Sequence, residues 1–394
     1  MRQTYRFRLY PNQKQANDIR RTCSAVRFLY NKILEERTDG YRKTGKWAKI
    51  NTEKYKLLPW MTNTDPSALL AAENQIKTAY DHFFKILRTK KDKYRPDSLQ
   101  RATKDPSYRL MDCDLVGYPK FKKKRTTAES YQTNPDEIRI EDNIVFLPVV
   151  GKVKAKIHRP LPEGAEILKC TILKKRSGKY FILLLLDIPG TKEDVVCHDA
   201  LGVVFSPGNL IKRSDGKEVY FRHTDPALEK RIQKAYQTLK RRTPGSHRYE
   251  KQREYLAKLY EKRVEQRRDD LHKTAQSLAA DASVICMESP DVMARASDLR
   301  RQGLYDIVHD EAWWKFSKLV EQKVKAKGNI YWRIDRRHVF FAICSKCGHV
   351  SKPRSNRNVF ICPACGSSIG REENSVQVLY QQAKQILEES TPPS

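Results

Sequence analysis

Cys344, Cys347, Cys362 and Cys365 form two Cys-x2-Cys pairs separated by residues 348–361, and no other stretch constrains the fold of this chain so narrowly. Two thiolates at that spacing wrap one side of a tetrahedral ion, and two such pairs close its coordination sphere. Gly348 and Gly366 follow the second cysteine of each pair, where the backbone must turn under the sulfurs. Each pair alone could be a redox motif, but thioredoxin-like motifs do not come in facing pairs. The spacing predicts a zinc ribbon holding one Zn2+ per chain. Four sulfurs leave no position for water, so the expected role of the ion is structural. Such a ribbon is a small knuckle mounted on something larger.

The charge says what the larger part faces. Lys plus Arg total 77 against 47 Asp plus Glu, a net charge of +30, and the excess is spread along the chain. A folded protein this basic usually meets a polyanion, with nucleic acid the default. The longest apolar run, residues 180–186, is strand length, and there is no lipid-anchor motif, so no membrane partner is expected. The first residues lead into no apolar signal core. Outside the ribbon, Cys23, Cys113, Cys170, Cys197 and Cys286 make an odd set without a framework, which suits a reducing cytoplasm.

Along the chain, residues 3–10 alternate as a short strand, and a helical region runs to about residue 92. Residues 19–37 and 66–87 carry apolar side chains at three- and four-residue spacing, Val26, Leu29 and Ile33 in the first and Ile76, Tyr80 and Phe83 in the second. Arg27, Tyr30 and Asn31 fall between these positions and are candidates to face a ligand. Tyr118-Pro119-Lys120-Phe121-Lys122-Lys123-Lys124-Arg125 follows, a loop by its Pro and the preceding Gly117. A run of lysines is ordinarily a solvated face. Set between structured regions and interleaved with Tyr118 and Phe121, this one reads as a phosphate-gripping loop.

Residues 137–140, 144–147, 152–157, 165–173 and 179–188 read as strands and, with the first strand, predict a β-barrel interrupted by the helical region. Residues 201–205 form a buried strand, and residues 226–281 two charged helices broken at Thr243-Pro244-Gly245-Ser246. Their faces carry Lys240, Arg241, Arg242 and Arg268, with no matching acidic excess. Residues 282–287 form a strand ending at Glu288, residues 313–324 an amphipathic helix, and residues 374–387 the last helix.

A strand, long helices, a strand ending in Glu, and an acid opening the final helix is the order of carboxylates in an RNase H-like nuclease. Such a site needs three acidic side chains converging on two Mg2+ ions, hard cations that take oxygen ligands. Here the chain resembles the TnpB family, transposon-encoded RNA-guided nucleases ancestral to type V CRISPR effectors. The likeness spans nearly the whole chain. It rests on Arg8-Leu9-Tyr10-Pro11-Asn12, Val26-Arg27-Phe28-Leu29-Tyr30-Asn31, Tyr80-x2-Phe83-Phe84 and Gly117 to Arg125, and continues through Glu129-Ser130-Tyr131, Arg268-x2-Leu271-His272-Lys273, the cysteine pairs and Arg371-x2-Asn374. The resemblance implies an α+β multidomain chain. A β-barrel wedge domain would occupy residues 1–12 and 126–197, with a helical recognition domain inserted over residues 13–125. An RNase H-like (RuvC) α/β domain would occupy residues 198–343 and 366–394, with the zinc ribbon as an insert over residues 344–365.

The family's first RuvC motif reads roughly Gly-Ile-Asp-Leu-Gly. Here it is Gly202-Val203-Val204-Phe205-Ser206, with Val204 where the metal-bridging aspartate belongs. The second motif looks intact at Ile285-Cys286-Met287-Glu288. The third, normally Arg-Asp-x-Asn-Ala-Ala, reads Arg371-Glu372-Glu373-Asn374-Ser375-Val376, so Glu372, one methylene longer, replaces its aspartate. A valine cannot bind a cation, so neither catalytic Mg2+ nor nuclease activity is expected. Lost chemistry beside retained basic stretches resembles the naturally nuclease-dead TnpB relatives called TldR proteins, which are RNA-guided transcriptional repressors.

That resemblance implies a monomeric, cytoplasmic, nucleoid-associated protein carrying a guide RNA of the transposon-derived omega type. It would bind double-stranded target DNA beside a short flanking motif. Asn74 and Ser130-Tyr131-Gln132 are candidate contacts to that motif. Two other readings stand beside it: an RNA-guided DNA endonuclease rebuilt around Glu288, Glu372 and Glu373, and an inactive transposon remnant.

Overall fold

The computed structural model describes residues 2–44, 50–89, 94, 98, 115–124, 129–189, 199–206, 211–220, 225–290, 312–334, 342–351 and 359–390. They form an α+β protein that divides into two compact units, Met1–Gly190 and Thr191–Ser394.

The first unit opens with β1 (Arg2–Tyr10), whose alternate residues Tyr5, Phe7 and Leu9 are buried, as a strand of period two requires. Helices α1 (Gln13–Thr44), α2 (Glu53–Lys56) and α3 (Pro66–Thr89) follow. The chain then returns to the sheet as β2 (Glu129–Thr133), β3 (Arg139–Glu141), β4 (Ile144–Leu147), β5 (Gly151–Lys156), β6 (Glu166–Lys174) and β7 (Tyr180–Asp187). These seven strands form one sheet in the order β2-β6-β7-β1-β5-β4-β3, with β1 antiparallel to β7 on one side and to β5 on the other. Among the described residues the edge strands β2 and β3 do not pair, so the hydrogen bonding leaves the sheet open.

The strand expected at residues 137–140 is shortened. Asn134-Pro135-Asp136 is turn chemistry, and Asn134 accepts from the Asp136 N–H to cap a 3-10 turn over Pro135–Glu137. Helices and sheet share one apolar core. Val26, Leu29 and Ile33 of α1 and Ala72, Ile76 and Tyr80 of α3 pack in the same cluster as Tyr131, Ile172 and Leu184 of the sheet. Among the described residues the helical region therefore has no separate core of its own.

The second unit holds β8 (Ala200–Phe205), β9 (Ile211–Arg213), β10 (Glu218–Val219), α4 (Pro226–Lys240), α5 (His247–Asp281), β11 (Val284–Glu288), α6 (Trp313–Ala326), β12 (Ile330–Ile334), β13 (Val359–Ile361), β14 (Ser368–Gly370) and α7 (Arg371–Ser390). Its main sheet runs β10-β9-β8-β11-β12. Strands β8, β11 and β12 are parallel, and the β9–β10 hairpin is antiparallel. On one face Val203, Phe205, Ile285 and Met287 pack with Leu271 and Leu278 of α5 and Trp313 and Phe316 of α6. On the other, Val204, Val284 and Cys286 pack with Val376 and Leu379 of α7. Covering both faces explains why β8 and β11 read as continuous apolar runs.

The break at Pro244-Gly245 ends α4, and Ser246 caps α5 by accepting from the Tyr249 N–H. Among the described residues no helix is long and apolar enough to cross a membrane.

Candidate functional site

One face of the second unit's sheet gathers the three motif positions. In β11 Val284 and Cys286 face α7, so Glu288, two residues on, shares that face. In β8 the same face carries Gly202 and Val204. A Cβ at Gly202 would lie 2.4 Å from the Val376 carbonyl oxygen and 2.5 Å from the Tyr380 nitrogen. Only glycine lets α7 cross β8 at that distance, and this close approach brings the first turn of α7, with Glu372, over the strand end.

Val204 itself is buried among Val376, Val378 and Leu379. Glu288 is buried and its Oε2 accepts from the Phe205 N–H at 3.3 Å. Ser206 Oγ donates to Glu372 Oε2 at 3.0 Å. Opposite Val204 in the antiparallel β8–β9 pair stands Lys212, on the same face. Its Nζ lies 3.2 Å from Glu372 Oε2 and 3.4 Å from Glu218 Oε1. Burial disfavours the ammonium, but the bonds to Glu372 and Glu218 outweigh it and raise its pKa. Glu373 is exposed. The face therefore offers a valine, a carboxylate tied to a backbone amide, and a carboxylate paired with an ammonium. A pair of Mg2+ ions does not fit that donor set.

The cysteine knuckles do fit their ion. The four sulfurs all lie within 4.8 Å of one another. Cys344 and Cys365 Sγ are 3.8 Å apart, and Cys347 and Cys362 Sγ 3.6 Å. Tetrahedral zinc with sulfurs at 2.3 Å requires S···S separations of about 3.8 Å. Gly348 and Gly366 have φ of 72° and 69°, the left-handed turn under each knuckle. The cluster could hold one zinc ion, which would cross-link the two knuckles.

Burial raises the Cys344 thiol, but the Ser367 hydroxyl and the backbone N–H groups of Cys347 and Lys346 bond to it and lower its pKa. The knuckle is seated on α7 by Asn374, which is fully buried. Its Oδ1 accepts from the Ser345 N–H at 2.9 Å and its Nδ2 donates to the Ile343 carbonyl at 2.7 Å.

The candidate nucleic-acid residues separate into surface and scaffold. Lys120, Lys123 and Lys124 are exposed, whereas Lys122 is turned inward. Its Nζ donates to Gln75 Oε1 at 2.7 Å and stands 4.1 Å from the centre of the Tyr30 ring. Its backbone N–H and C=O are held by the Asn31 amide at 2.8 and 3.1 Å. Burial pulls its pKa down to about 8. Lys122, Tyr30 and Asn31 thus anchor the loop and do not offer free phosphate contacts, a correction to the sequence reading. An extended loop must turn some of its side chains to the scaffold.

Two tyrosines are corrected as well. Tyr118 is buried edge-on against Phe83, with its hydroxyl 2.7 Å from Thr38 Oγ1. Tyr131 is in the core, because the alternation of β2 sends it inward while Ser130 is exposed and Gln132 half-buried. Asn74 is exposed on α3. Arg27 lines a cleft of about 360 Å³ with Phe28, Trp60 and Phe121. In the second unit Lys240, Arg241 and Arg268 are exposed, and Arg242 donates to the Arg248 carbonyl. Arg125, Cys113 and Cys197 lie outside the described residues.

Sequence reasoning missed Lys212 and the part played by Asn374. Neither carries a local signal: the pairing of Lys212 with Val204 follows from the β8–β9 register, and the seat of the knuckle on Asn374 from the docking of α7.

The family pattern of an IS605 OrfB helix-turn-helix domain matches residues 1–46, where the described residues form β1 and one unbroken helix. A probable transposase pattern of the same family matches residues 209–288, and a Cas12f1-like TNB domain matches residues 313–379. A Streptomyces pristinaespiralis protein provisionally named RNA-guided DNA endonuclease is 26% identical over 390 residues, covering 96% of this chain and 88% of its own length. Its Escherichia coli (strain K12) counterpart, provisionally named RNA-guided DNA endonuclease InsQ, is 20% identical over 400 residues, covering 98% and 93%. A solved Cas12f1 complex with guide RNA and target DNA aligns at 15% identity and a TM-score of 0.32, covering 96% of this chain and 99% of that one. A CRISPR-Cas12f ternary complex aligns at 14% and 0.31, covering 92% and 80%.

Proposed function

The chain belongs to the TnpB family, and from that premise we propose that it is an RNA-guided DNA-binding protein without nuclease activity, a repressor of the TldR kind. The observation that carries this is Val204, an aliphatic side chain packed among Val376, Val378 and Leu379 where the family's bridging carboxylate belongs. Removing a ligand of a two-metal centre takes away both the clamp and the alignment that speed phosphoryl transfer. The endonuclease alternative would draw on Glu288, Glu372 and Glu373. Of these, Glu288 is committed to a backbone amide, Glu372 to Lys212, and Glu373 to solvent.

Partners follow from the relatives' names and from the net charge of +30: a guide RNA of the omega type and a double-stranded DNA target with a short flanking motif. In this reading the first unit is the wedge domain with its inserted recognition helices, and Asn74, Ser130 and Gln132 contact the flanking motif. The second unit is the degenerate RuvC domain carrying the zinc ribbon, and the chain acts as a monomer in the cytoplasm, on the nucleoid. Bound over a promoter, the complex excludes polymerase. A reporter with a guide-matched promoter tests this: repression should require the matched guide and leave the DNA uncut. Repression that survives a scrambled guide would overturn the RNA-guided reading.

A further inference from the structure

Lys212 is the feature that the loss of a catalytic acid does not explain. A strand residue beside a dead site has no need to be charged. Yet this one reaches across the end of the sheet, from β9, to an acid in the first turn of α7, and to Glu218 on β10. Ser206, at the end of β8, donates to the same Glu372 oxygen that the ammonium approaches. The strand β8, the hairpin β9–β10 and the helix α7 therefore meet at one carboxylate and one cation. In a metal-bearing site of this kind divalent ions would join β8, β11 and α7 through carboxylates on those elements.

We propose that Lys212 is the resident cation of this site: its ammonium neutralises Glu372 and Glu218, ties the β9–β10 hairpin to α7, and excludes divalent metal. The ammonium is a permanent part of the chain, so the closure of the site does not depend on metal supply. A like charge 3.2 Å from Glu372 Oε2 opposes any ion that would use that oxygen. The inference rests on the reading of the site as lacking a Mg2+ pair, and on nothing concerning guides or targets.

The test uses the full zinc-loaded chain and Lys212→Ala, with Lys212→Arg as the conservative control. Mn2+ binding is followed by electron paramagnetic resonance, and unfolding by thermal melts with and without millimolar Mg2+. Freed of the ammonium, Glu372 and Glu218 should accept an ion from solution. Lys212→Ala should melt lower than wild type, recover on adding Mg2+, and bind Mn2+ at least about tenfold more tightly than wild type. Wild type and Lys212→Arg should show neither effect. Equal, weak Mn2+ binding by wild type and Lys212→Ala would overturn the role of Lys212 while leaving the metal-free reading in place. Stoichiometric Mn2+ on the wild type at this face would overturn both.

Discussion

Replacing Lys123 and Lys124 together by Ala should weaken nucleic-acid binding in a way that salt reveals. Each phosphate that no longer meets a lysine makes the slope of log affinity against log salt shallower by about 0.9 for a duplex. The sequence offers three consecutive lysines, but the structure turns Lys122 onto Gln75 and Tyr30, leaving Lys123 and Lys124 exposed. The double variant should thus lose about 1.8 units of slope, not 2.7. Between 50 and 200 mM salt the wild type would lose about tenfold more affinity than the variant does. Matched and mismatched targets should weaken together, because phosphates carry no sequence. Lys122→Ala should leave the slope unchanged and instead loosen the loop. The assay is a titration of guide-loaded protein against labelled duplex at several salt concentrations. An unchanged slope in the double variant, or a loss of about 0.9 in Lys122→Ala, would refute the reasoning.

Gly202→Ala should cost about 1–3 kcal/mol in thermal unfolding, because its Cβ meets helix backbone at 2.4 Å; a cost within noise would mean that α7 does not sit there. Asn374→Ala should speed zinc release to a chelator, since the knuckle loses both of its Asn374 bonds and keeps only that from Gln381 to the Ser345 carbonyl among its described side-chain hydrogen bonds to α7, and Cys362→Ser should lower zinc below one equivalent; undiminished zinc in Cys362→Ser would discount the four-sulfur site. Burial raises the Cys23 and Cys170 thiols from 9.0 to about 12, so they stay protonated when folded. Their contribution to stability is complete below pH 9 and lost as pH rises through 12. Melting temperatures should fall over that window, less steeply in Cys23→Ala/Cys170→Ala, and an identical fall would count against burial as the cause.

What could be read in advance follows the range of the interactions. The cysteine pairs declare their ion because spacing alone sets the geometry, and α1 and α3 declare themselves by apolar period. The ribbon's seat on Asn374 depends on a helix docking that no local pattern encodes. Strand β9 has three residues and pairs across a connection whose length does not set its register, so the meeting of Lys212 with Val204 is a tertiary fact. Of the lysine run, charge predicted the surface, but only packing decides that Lys122 is the member folded inward. The sequence hides the inward face of Tyr131 because β2 is short and polar at all its other positions, and only the helices α1 and α3 packed against it reveal that face.

The central claim is grip without cutting. Its most direct measurement places purified guide-loaded protein on a supercoiled plasmid bearing a matched target and a randomised flanking motif, in Mg2+ or Mn2+, and reads retention and linearisation in the same lane. The account predicts plasmid retained only with the matched guide and recovered intact. Guide-dependent linear product at a normal turnover would contradict it.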